Sequence, residues 1–406
     1  MARTKIHVGL EIGTSKTCMV VGEVRPDATA TIIGMGEVQS AGVRKGEIVD
    51  QTMARQCVRD AWMMAQDNAD VDILSVYVSV TGSHISGMNN AGAYRLPDDE
   101  NIITQEHMDY VNESAGEVQL GQDQYALHRE MSDYSIDGQD PVINPEGLSG
   151  RTLDVNCHVI HGIKTRIMNT LLCTREVPLE VEDIVFAPLA TAQMVLNRRM
   201  KEAGALLIDI GGGTTDYVFY KNGQLLASGC IAIGGNTINA DIEKLTEQRI
   251  TRRTADILKR TEGNAFGDVK DKSVAHFTSD LGLHDVSIER GLLNRIIRDR
   301  LADALLRVKA KLPPEACKRG SGVQVYLCGG TSLMRGLDGL AKYVFGLPVH
   351  QPAPLSSTKT LEYLQDPRYC TPIGLIRYAQ RYDEDLYEAS SGGLLRRVFS
   401  LFRRGK

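Results

Sequence analysis

The sequence predicts an α/β protein made of two related lobes. Two observations support this fold class: a strand, turn and strand pattern that occurs twice, about 200 residues apart, and an alternation of strands and helices along the rest of the chain. The first copy is IHVGLEIGT at residues 6–14, followed by TCMVVGEV, and the second is LLIDIGGGT at residues 206–214, followed by TDYVFY. Because the chain has 406 residues, two to four domains are expected.

The composition is that of a globular protein with no general attraction to nucleic acid. Hydrophobic residues make up 42% of the chain, enough to fill buried cores, and the formal net charge is −5. The eight cysteines are scattered, without a C-x-x-C pair or zinc spacing, so we expect buried thiols in a reducing cytoplasm. We expect neither a secretory signal peptide nor a membrane-spanning stretch of about 20 apolar residues.

Helices and strands alternate between the two copies of the repeat. Hydrophobic periodicity predicts a helix over residues 53–66, a strand over 73–80 and a capped helix over 104–117. A polar region of strands and turns then extends to about residue 163. Helices are predicted at 165–174 and 187–200, on either side of a strand at 181–186.

The region after the second copy continues the α/β order. Residues 236–259 are rich in helix signals, and residues 265–288 indicate short strands. Residues 291–312 form an amphipathic pattern typical of a long helix. A strand at 323–328 leads into a third glycine turn at Gly329 and Gly330, which is predicted to open a helix.

Glycine turns that follow apolar strands are suited to phosphate binding. Glycine adopts positive φ and lets backbone N–H groups point at an anion without a Cβ in the way. Two facing copies would grip one phosphate chain from both sides, and the third turn would meet the base and ribose. Either turn alone is equally consistent with an ordinary hairpin. A Walker A sequence and a strand-linked G-x-G-x-x-G are both absent, which disfavours P-loop and Rossmann proteins.

The three turns and their spacing resemble the actin, Hsp70 and sugar-kinase superfamily. This resemblance implies two ribonuclease-H-like domains with ATP between them, and it assigns nucleotide contacts by position. The first phosphate loop would be Gly13, Thr14, Ser15 and Lys16, and the second Gly211, Gly212, Gly213 and Thr214. The ribose side would be Gly234, Gly235, Asn236 and Lys259, and the adenosine loop Gly329, Gly330, Thr331 and Ser332. Lys16 is also compatible with a solvated turn lysine. The glutamate that usually precedes Lys259 by four residues is Ala255, beside Asp256.

The same resemblance implies Mg²⁺ near two acids. Glu11 and Asp209 would reach the ion through water, as hard carboxylate oxygens beside phosphates do. Asp209 or Asp216 could orient the attacking water, but the position where the superfamily often has a catalytic Glu or Gln is Ala187. We therefore predict ATP binding with weak hydrolysis.

More specific motifs resemble the FtsA family of bacterial cell-division proteins. They are KGEI at residues 45–48, VTGSHISGMNN at 80–90, NPEGLSG at 144–150 and the stretch at 369–379. The resemblance implies an actin-like fold in which subdomain 1C replaces subdomain 1B of actin. The implied domains are 1A (1–83, 164–200 and 351–385), 1C (84–163), 2A (201–233 and 318–350) and 2B (234–317), then a linker (386–393) and a terminal helix (394–406).

The tail GGLLRRVFSLFRRGK predicts a membrane-surface helix. On a helical projection, its apolar residues fall in one arc of roughly 160° and its four arginines in the opposite arc. The apolar residues are Leu394, Leu395, Val398, Phe399, Leu401 and Phe402, and the arginines are Arg396, Arg397, Arg403 and Arg404. Such a helix would anchor the chain to the cytoplasmic face of the inner membrane. The alternative is a terminal helix packed on the protein itself.

Resemblance to FtsA also implies partners. These are the C-terminal peptide of the tubulin-like protein FtsZ on domain 2B, later division proteins on domain 1C, and further copies of the chain in actin-like protofilaments at the division site. Residues 249–260 and 291–312 are the candidate FtsZ surface, although both are also compatible with a solvated basic helix face. Two other functions remain open at this point: a pilus-assembly scaffold of the same fold and a small-metabolite kinase.

Overall fold

The structure is a computed structural model. It describes residues 4–25, 30–175, 177–247, 249–277, 286–318, 320–351 and 366–392, and for residues 383–392 it describes the backbone alone. The predicted membrane helix at 394–406 lies outside the described residues.

Strands and helices alternate along most of the chain, as predicted. The strands are β1 (Lys5–Ile12), β2 (Lys16–Val24), β3 (Ala30–Gln39), β4 (Val43–Arg44), β5 (Glu47–Ile48), β6 (Ser75–Val80), β7 (Ser86–Arg95), β8 (Gln124–Met131), β9 (Ser135–Ile136), β10 (Thr152–Ile163), β11 (Glu180–Phe186), β12 (Ala205–Ile210), β13 (Thr215–Lys221), β14 (Gln224–Ile231), β15 (Val274–Phe277), β16 (Val286–Glu289), β17 (Gln324–Cys328) and β18 (Val349–His350). The helices are α1 (Gln51–Ala69), α2 (Gln105–Gly116), α3 (Lys164–Leu172), α4 (Ala187–Val195), α5 (Arg198–Ala203), α6 (Gly235–Leu245), α7 (Arg252–Glu262), α8 (Arg290–Lys309), α9 (Leu337–Phe345) and α10 (Cys370–Gly392).

Lobe 1 is built on a sheet with the strand order β11-β6-β1-β2-β3. Strands β1 and β2 form the first predicted hairpin, and β6 and β11 run parallel to β1. Helix α10 lies directly on this hairpin, because a Cβ on Gly9 would come within 2.4 Å of the Pro372 carbonyl oxygen, and a Cβ on Gly22 within 2.5 Å of Ile376. Glycine at these positions therefore lets the helix approach the sheet.

Lobe 2 repeats the same arrangement. Its strands follow the order β18-β17-β12-β13-β14, with the second predicted hairpin at β12 and β13 and with β17 parallel to β12. The amphipathic helix α8 buries one face in this lobe, including Leu293, Ile297, Leu301 and Leu305. Both lobes thus place a glycine hairpin at the carboxyl end of a central strand.

A small inserted domain separates the two halves of lobe 1. It contains α2 and strands β7 to β10, and Thr104 precedes α2 as predicted, with its backbone N–H bonded to His107 Nδ1 at 3.2 Å. Strand β7 lies next to β14, so the sheet of the inserted domain continues the sheet of lobe 2.

Two sequence predictions differ from the structure. The helix predicted at 187–200 is divided into α4 and α5, because Asn197 leaves the helical conformation and its side chain caps α5 by accepting from the Met200 N–H. The predicted linker at 386–393 is helical as far as Gly392, because α10 continues through a stretch that contains no proline and, before Gly392, no further glycine. Serine content alone did not end the helix.

The cysteines are thiols and most are buried, as expected. Seven of the eight are buried, Cys317 is partly buried, and none of them forms a disulfide. Within the described ranges, no helix is long and apolar enough to cross a bilayer.

Candidate functional site

The two predicted phosphate hairpins face each other across the gap between the lobes. A Cβ built on Gly212 would lie 1.9 Å from Oγ of Ser15, and one on Gly213 would lie 2.3 Å from Oγ1 of Thr14. Both turns are closed in the same way, since Gly13 N–H donates to the Lys16 carbonyl and Gly211 N–H to the Thr214 carbonyl, each at 2.9 Å. Turns separated by almost half of the chain therefore form one site. A Cβ on Gly213 would also lie 2.8 Å from the backbone Cα of Lys45, so this position of the lobe 2 turn requires glycine.

The residues predicted for the ribose lie against the second hairpin. Helix α6 begins at Gly235, whose N–H donates to the Gly211 carbonyl at 3.0 Å, and the Asn236 N–H donates to the Gly212 carbonyl at 2.7 Å. A Cβ on Gly234 would fall 2.7 Å from the Gly212 carbonyl carbon. This predicted group is thus in direct contact with the predicted phosphate loop.

The predicted adenosine loop reaches the same hairpin from the other side. Gly329 has a φ of +80°, and a Cβ there would lie 2.3 Å from Asp209 Oδ1. Thr331 Oγ1 donates to the Gly211 carbonyl at 3.0 Å. Gly330 begins a short 3₁₀ turn that includes Ser332 and precedes α9, so the turn opens a helical segment as predicted.

Lys259 lies beside Gly235 and is buried. Its Nζ donates to the Gly235 carbonyl at 3.3 Å and to Asp256 Oδ1 at 2.8 Å. Burial lowers the pKa of Lys259, and the neighbouring Asp256 carboxylate opposes this change. Asp256, three residues before Lys259, therefore supports the charge of the lysine. The superfamily usually has a glutamate one residue earlier, at the position of Ala255.

Lys16 and Glu11 form an ion pair in the first hairpin. Burial disfavours the charged ammonium, but the carboxylates of Glu11 and Glu37 outweigh this cost and raise the pKa of Lys16. The Lys16 side chain is 16% exposed, so it is not a solvated turn lysine. Its ammonium pairs with Glu11 and lies 5.5 Å from the centre of the Tyr369 ring.

Asp209 is held between the lobes by two hydroxyl groups. Thr191 Oγ1 and Thr371 Oγ1 each lie 3.2 Å from Asp209 Oδ2, and the two hydroxyl oxygens are 2.9 Å apart. Burial and the neighbouring carboxylates of Asp216 and Glu11 raise the pKa of Asp209 to about 7.

A divalent cation would relieve the repulsion among these carboxylates, so the acids suit Mg²⁺. Among the described side chains, no three acid, histidine or cysteine groups converge tightly enough to hold an ion alone. Water and phosphate oxygens would supply the remaining ligands.

Asp216 is engaged on both oxygens. Thr81 Oγ1 donates to Oδ1 at 2.5 Å and Thr214 Oγ1 donates to Oδ2 at 2.9 Å. Asp216 lies opposite Asp209 in the β12–β13 hairpin. These two bonds tie Asp216 to lobe 1 through Thr81 and to the second hairpin through Thr214.

Sequence reasoning missed four residues that build this site. Thr81, Thr191 and Thr371 contact the two aspartates, and the Gly46 N–H donates to Thr14 Oγ1 at 2.9 Å. Gly46 lies in the KGEI motif, which was recognised only as a family feature. Isolated threonines carry no sequence signal, although Thr81 directly follows the predicted strand at 73–80 and Thr191 lies near the start of the predicted helix at 187–200.

Comparison with known proteins identifies the family. The family model described as cell division protein FtsA matches residues 206–374, and the model of the SHS2 domain inserted in FtsA matches residues 82–161. The cell division protein FtsA of Escherichia coli (strain K12) is 33% identical over 416 residues, which covers 98% of this chain and 98% of that protein. The chain belongs to the FtsA family. It is therefore an actin-like cell-division protein, and the FtsA-family prediction is confirmed.

Solved structures show the same actin-like fold, which confirms the predicted fold class. The PilM–PilN type IV pilus biogenesis complex matches with a TM-score of 0.62 and 16% identity, covering 92% of this chain and 98% of that one. MreB5 of Spiroplasma citri bound to AMPPNP matches with a TM-score of 0.52 and 16% identity, covering 97% and 100%. Since the likeness to the pilus protein is one of fold alone, the FtsA relationship decides against the pilus and kinase alternatives.

Proposed function

We propose that this FtsA-family chain binds ATP and Mg²⁺ between its lobes, assembles into actin-like protofilaments and attaches FtsZ to the cytoplasmic face of the inner membrane at the division site. Nucleotide binding is supported mainly by one observation, the contact between Ser15 of the first hairpin and Gly212 of the second. Glycine backbone of lobe 2 meets the hydroxyl groups of Ser15 and Thr14 of lobe 1 there. MreB5, which shares the fold, is described as bound to AMPPNP.

Each group in the site has a separate part in this proposal. The hairpin N–H groups and Lys16 bind the phosphates, while Lys259 and the turn at Gly329 enclose the nucleoside. Mg²⁺, when bound, neutralises phosphate charge, and Glu11 and Asp209 hold its water ligands. ATP would separate Lys16 from Glu11, because the ammonium can pair with phosphate once the carboxylate faces the ion.

The tail supplies the membrane part of the proposal. Each of its four arginines contributes on the order of 1 kcal/mol near an anionic leaflet, and burial of the apolar face adds to this. The resulting attachment is reversible, which suits a scaffold that assembles and disassembles.

The FtsZ peptide is assigned to domain 2B, on the surface of α7 and α8. Exposed ion pairs cover this surface, among them Arg252–Glu243, Arg260–Asp256 and Arg307–Asp303. Exposed pairs stabilise a fold by at most about 1 kcal/mol, so a peptide carboxylate can replace an intramolecular partner at small cost. The inserted domain remains available to later division proteins.

Nucleotide binding is tested with two neighbouring glycines. Gly212→Ala places a methyl group 1.9 Å from Ser15 Oγ, whereas the nearest atom to a Cβ on Gly211 is 3.6 Å away. We expect Gly212→Ala to weaken binding of a fluorescent ATP analogue by more than about tenfold and Gly211→Ala to have a clearly smaller effect. Equal affinities for wild type and Gly212→Ala would refute the proposed site.

Membrane attachment is tested with two neighbouring tail residues. Phe399→Glu puts a charge into the apolar arc, and Ser400→Glu puts the same charge among the arginines. We expect Phe399→Glu to abolish co-sedimentation with anionic vesicles and Ser400→Glu to retain most of it. Electron microscopy on lipid monolayers with ATP would then show filaments for Ser400→Glu but none for Phe399→Glu. Unchanged sedimentation of Phe399→Glu would refute the anchor.

A further inference from the structure

The inserted domain is attached to one lobe by its chain and to the other by hydrogen bonds. It leaves lobe 1 after β6 and returns to it at α3, so both covalent connections belong to lobe 1. Its strand β7 nevertheless pairs with β14 of lobe 2, through the pair Ser86 and Gly229. By contrast, β7 pairs with β10 of its own domain along the whole strand. The joint with lobe 2 is therefore short.

A buried histidine links the three strands at this joint. His158 in β10 is 3% exposed; its Nδ1 lies 2.6 Å from Asn89 Oδ1 and its Nε2 lies 2.8 Å from Ser228 Oγ. Asn89 Nδ2 donates to the Leu226 carbonyl at 3.0 Å, so the Asn89 oxygen is left to accept from His158 Nδ1–H. His158 Nε2 then accepts the Ser228 hydroxyl proton. The bond between Asn89 and His158 lies within the inserted domain, whereas the bonds to the Ser228 hydroxyl and the Leu226 carbonyl form only while that domain contacts lobe 2.

The histidine is neutral in this arrangement. Burial lowers the pKa of His158 to about 4. Its neutral form has one donor and one acceptor, which match the Asn89 oxygen and the Ser228 hydroxyl. The bonds therefore persist throughout the physiological pH range.

The contact between the inserted domain and lobe 2 is tightly packed at His158, and a cavity lies next to it. A Cβ on Gly87 would lie 2.3 Å from both His158 Nε2 and Ser228 Oγ, so glycine is required for the contact. A cavity of about 580 Å³ adjoins the joint and is lined by both domains, from Ser86 and Met88 to Leu226 and Lys311. Unfilled space beside a short strand contact leaves room for the two sheets to rotate.

A second contact connects the root of the inserted domain to the phosphate hairpin. Thr81, just before the inserted domain, donates to Asp216 of lobe 2, whose other oxygen accepts from Thr214 of the second hairpin. Movement of that hairpin relative to lobe 1 thus acts on the inserted domain at its root. The joint with β14 must absorb the same movement, because the covalent connections hold the domain on lobe 1.

We propose that His158, Asn89 and Ser228 form a latch that fastens the inserted domain to lobe 2 when the interlobe cleft is closed and releases it when the cleft opens. The link to nucleotide rests on the proposed function, whereas the latch itself rests on the bonds described above. Release would expose the edges of β7 and β14 and free the inserted domain to take another orientation.

The test is hydrogen–deuterium exchange of the full-length protein, read in segments 86–90 and 226–231. With AMPPNP and Mg²⁺ bound, both segments should exchange more slowly than in the nucleotide-free protein. Ser228→Ala leaves His158 Nε2 unpaired and should speed exchange in both segments by about tenfold. Ser228→Ala should also remove most of the slowing of exchange that bound AMPPNP and Mg²⁺ cause in the wild type. Asn89→Ala, which breaks the other bonds, should act in the same way. Asn156→Ala is the control, since Asn156 lies exposed in the same strand β10.

The outcomes separate the latch from the nucleotide site. Nucleotide binding is measured directly on each variant, and absence of binding by the wild type would overturn the proposed function alone. The latch is overturned if Ser228→Ala and Asn89→Ala exchange like Asn156→Ala in both segments. It is also overturned if bound nucleotide protects the segments equally in wild type and variants, because the bonds would then be local packing without a link to cleft closure.

Discussion

Thr371, in the first turn of α10, lies with its Oγ1 3.2 Å from Oδ2 of Asp209, which belongs to the opposite lobe. Thr191 of α4 approaches the same oxygen at the same distance. Two helices of lobe 1 thus position the carboxylate that lobe 2 presents for the proposed metal. Helix α10 extends from this contact to Gly392, two residues before the predicted membrane helix.

Replacing Thr371 with valine should weaken Mg²⁺-dependent ATP binding. Valine keeps the shape but removes a hydroxyl donor to Asp209, and a hydrogen bond to a charged group contributes roughly 1.5–3 kcal/mol. We expect about a tenfold higher Mg²⁺ requirement, measured by titrating Mg²⁺ at fixed ATP analogue. Thr371→Ser restores the hydroxyl and should recover most of the affinity. A valine variant with the wild-type Mg²⁺ requirement would contradict this role.

The two glycine hairpins could be predicted from the sequence, whereas the contacts between domains could not. The two hairpins were predictable because each combines an apolar strand with a glycine turn and an acid, a local pattern that needs no tertiary information. The pairing of β7 with β14 could not be predicted, because the β7 sequence, SGMNNAGAYR, lacks an alternation of apolar and polar residues. Its place in the sheet depends on partners distant in sequence, such as Ser228 and His158.

The same distinction explains the other differences. Thr81, Thr191 and Thr371 act through contacts between lobes, which a single sequence does not reveal. The break between α4 and α5 depends on one cap at Asn197, and a hydrophobic pattern alone extends across it. In contrast, Lys259 was placed by its position alone, and Asp256 beside it supports the charge.

A methyl group on Gly374 should destabilise the protein by disturbing the crossing of α10 and α4. A Cβ at this position would lie 2.0 Å from the Ala190 carbonyl oxygen, which is backbone and unable to move aside. We expect Gly374→Ala to lower the free energy of unfolding by about 2–3 kcal/mol, as overpacking of a core does. The control is Gly121→Ala, where the neighbouring atoms belong to flexible side chains. Equal urea midpoints for the two variants would rule out the tight crossing.

Acidification should destabilise the protein through His128. Burial lowers the pKa of His128 to about 4, and its Nε2 accepts from the Phe186 N–H at 2.9 Å. The unfolded chain binds the proton near pH 6.5, so stability is fully present above that pH and falls as the pH drops towards 4. At pH 5 this one group removes about 2 kcal/mol of stability.

The measurement compares urea unfolding at pH 7.5 and pH 5. His128→Gln keeps an acceptor for the Phe186 N–H but does not titrate, so its loss of stability between the two pH values should be about 2 kcal/mol smaller than that of wild type. An unchanged pH dependence in the variant would show that His128 is protonated in the folded protein.

Hydrolysis of ATP should be slow, because the position that often orients the attacking water is an alanine and the carboxylates near the proposed phosphate site hold other partners. Asp216 accepts from Thr81 and Thr214, Asp209 lies within hydrogen-bonding distance of the hydroxyls of Thr191 and Thr371, and Glu11 pairs with Lys16. Ala187, the position that often carries the water-orienting group in the superfamily, begins α4 and has no polar side chain. We expect a steady-state turnover well below about 10 s⁻¹, the median for ordinary enzymes, measured as phosphate release with and without anionic vesicles. Activity that is the same in wild type and Gly212→Ala at subsaturating ATP would come from a contaminant. Turnover above that value that falls in Gly212→Ala would show that one of the nearby carboxylates acts as the base.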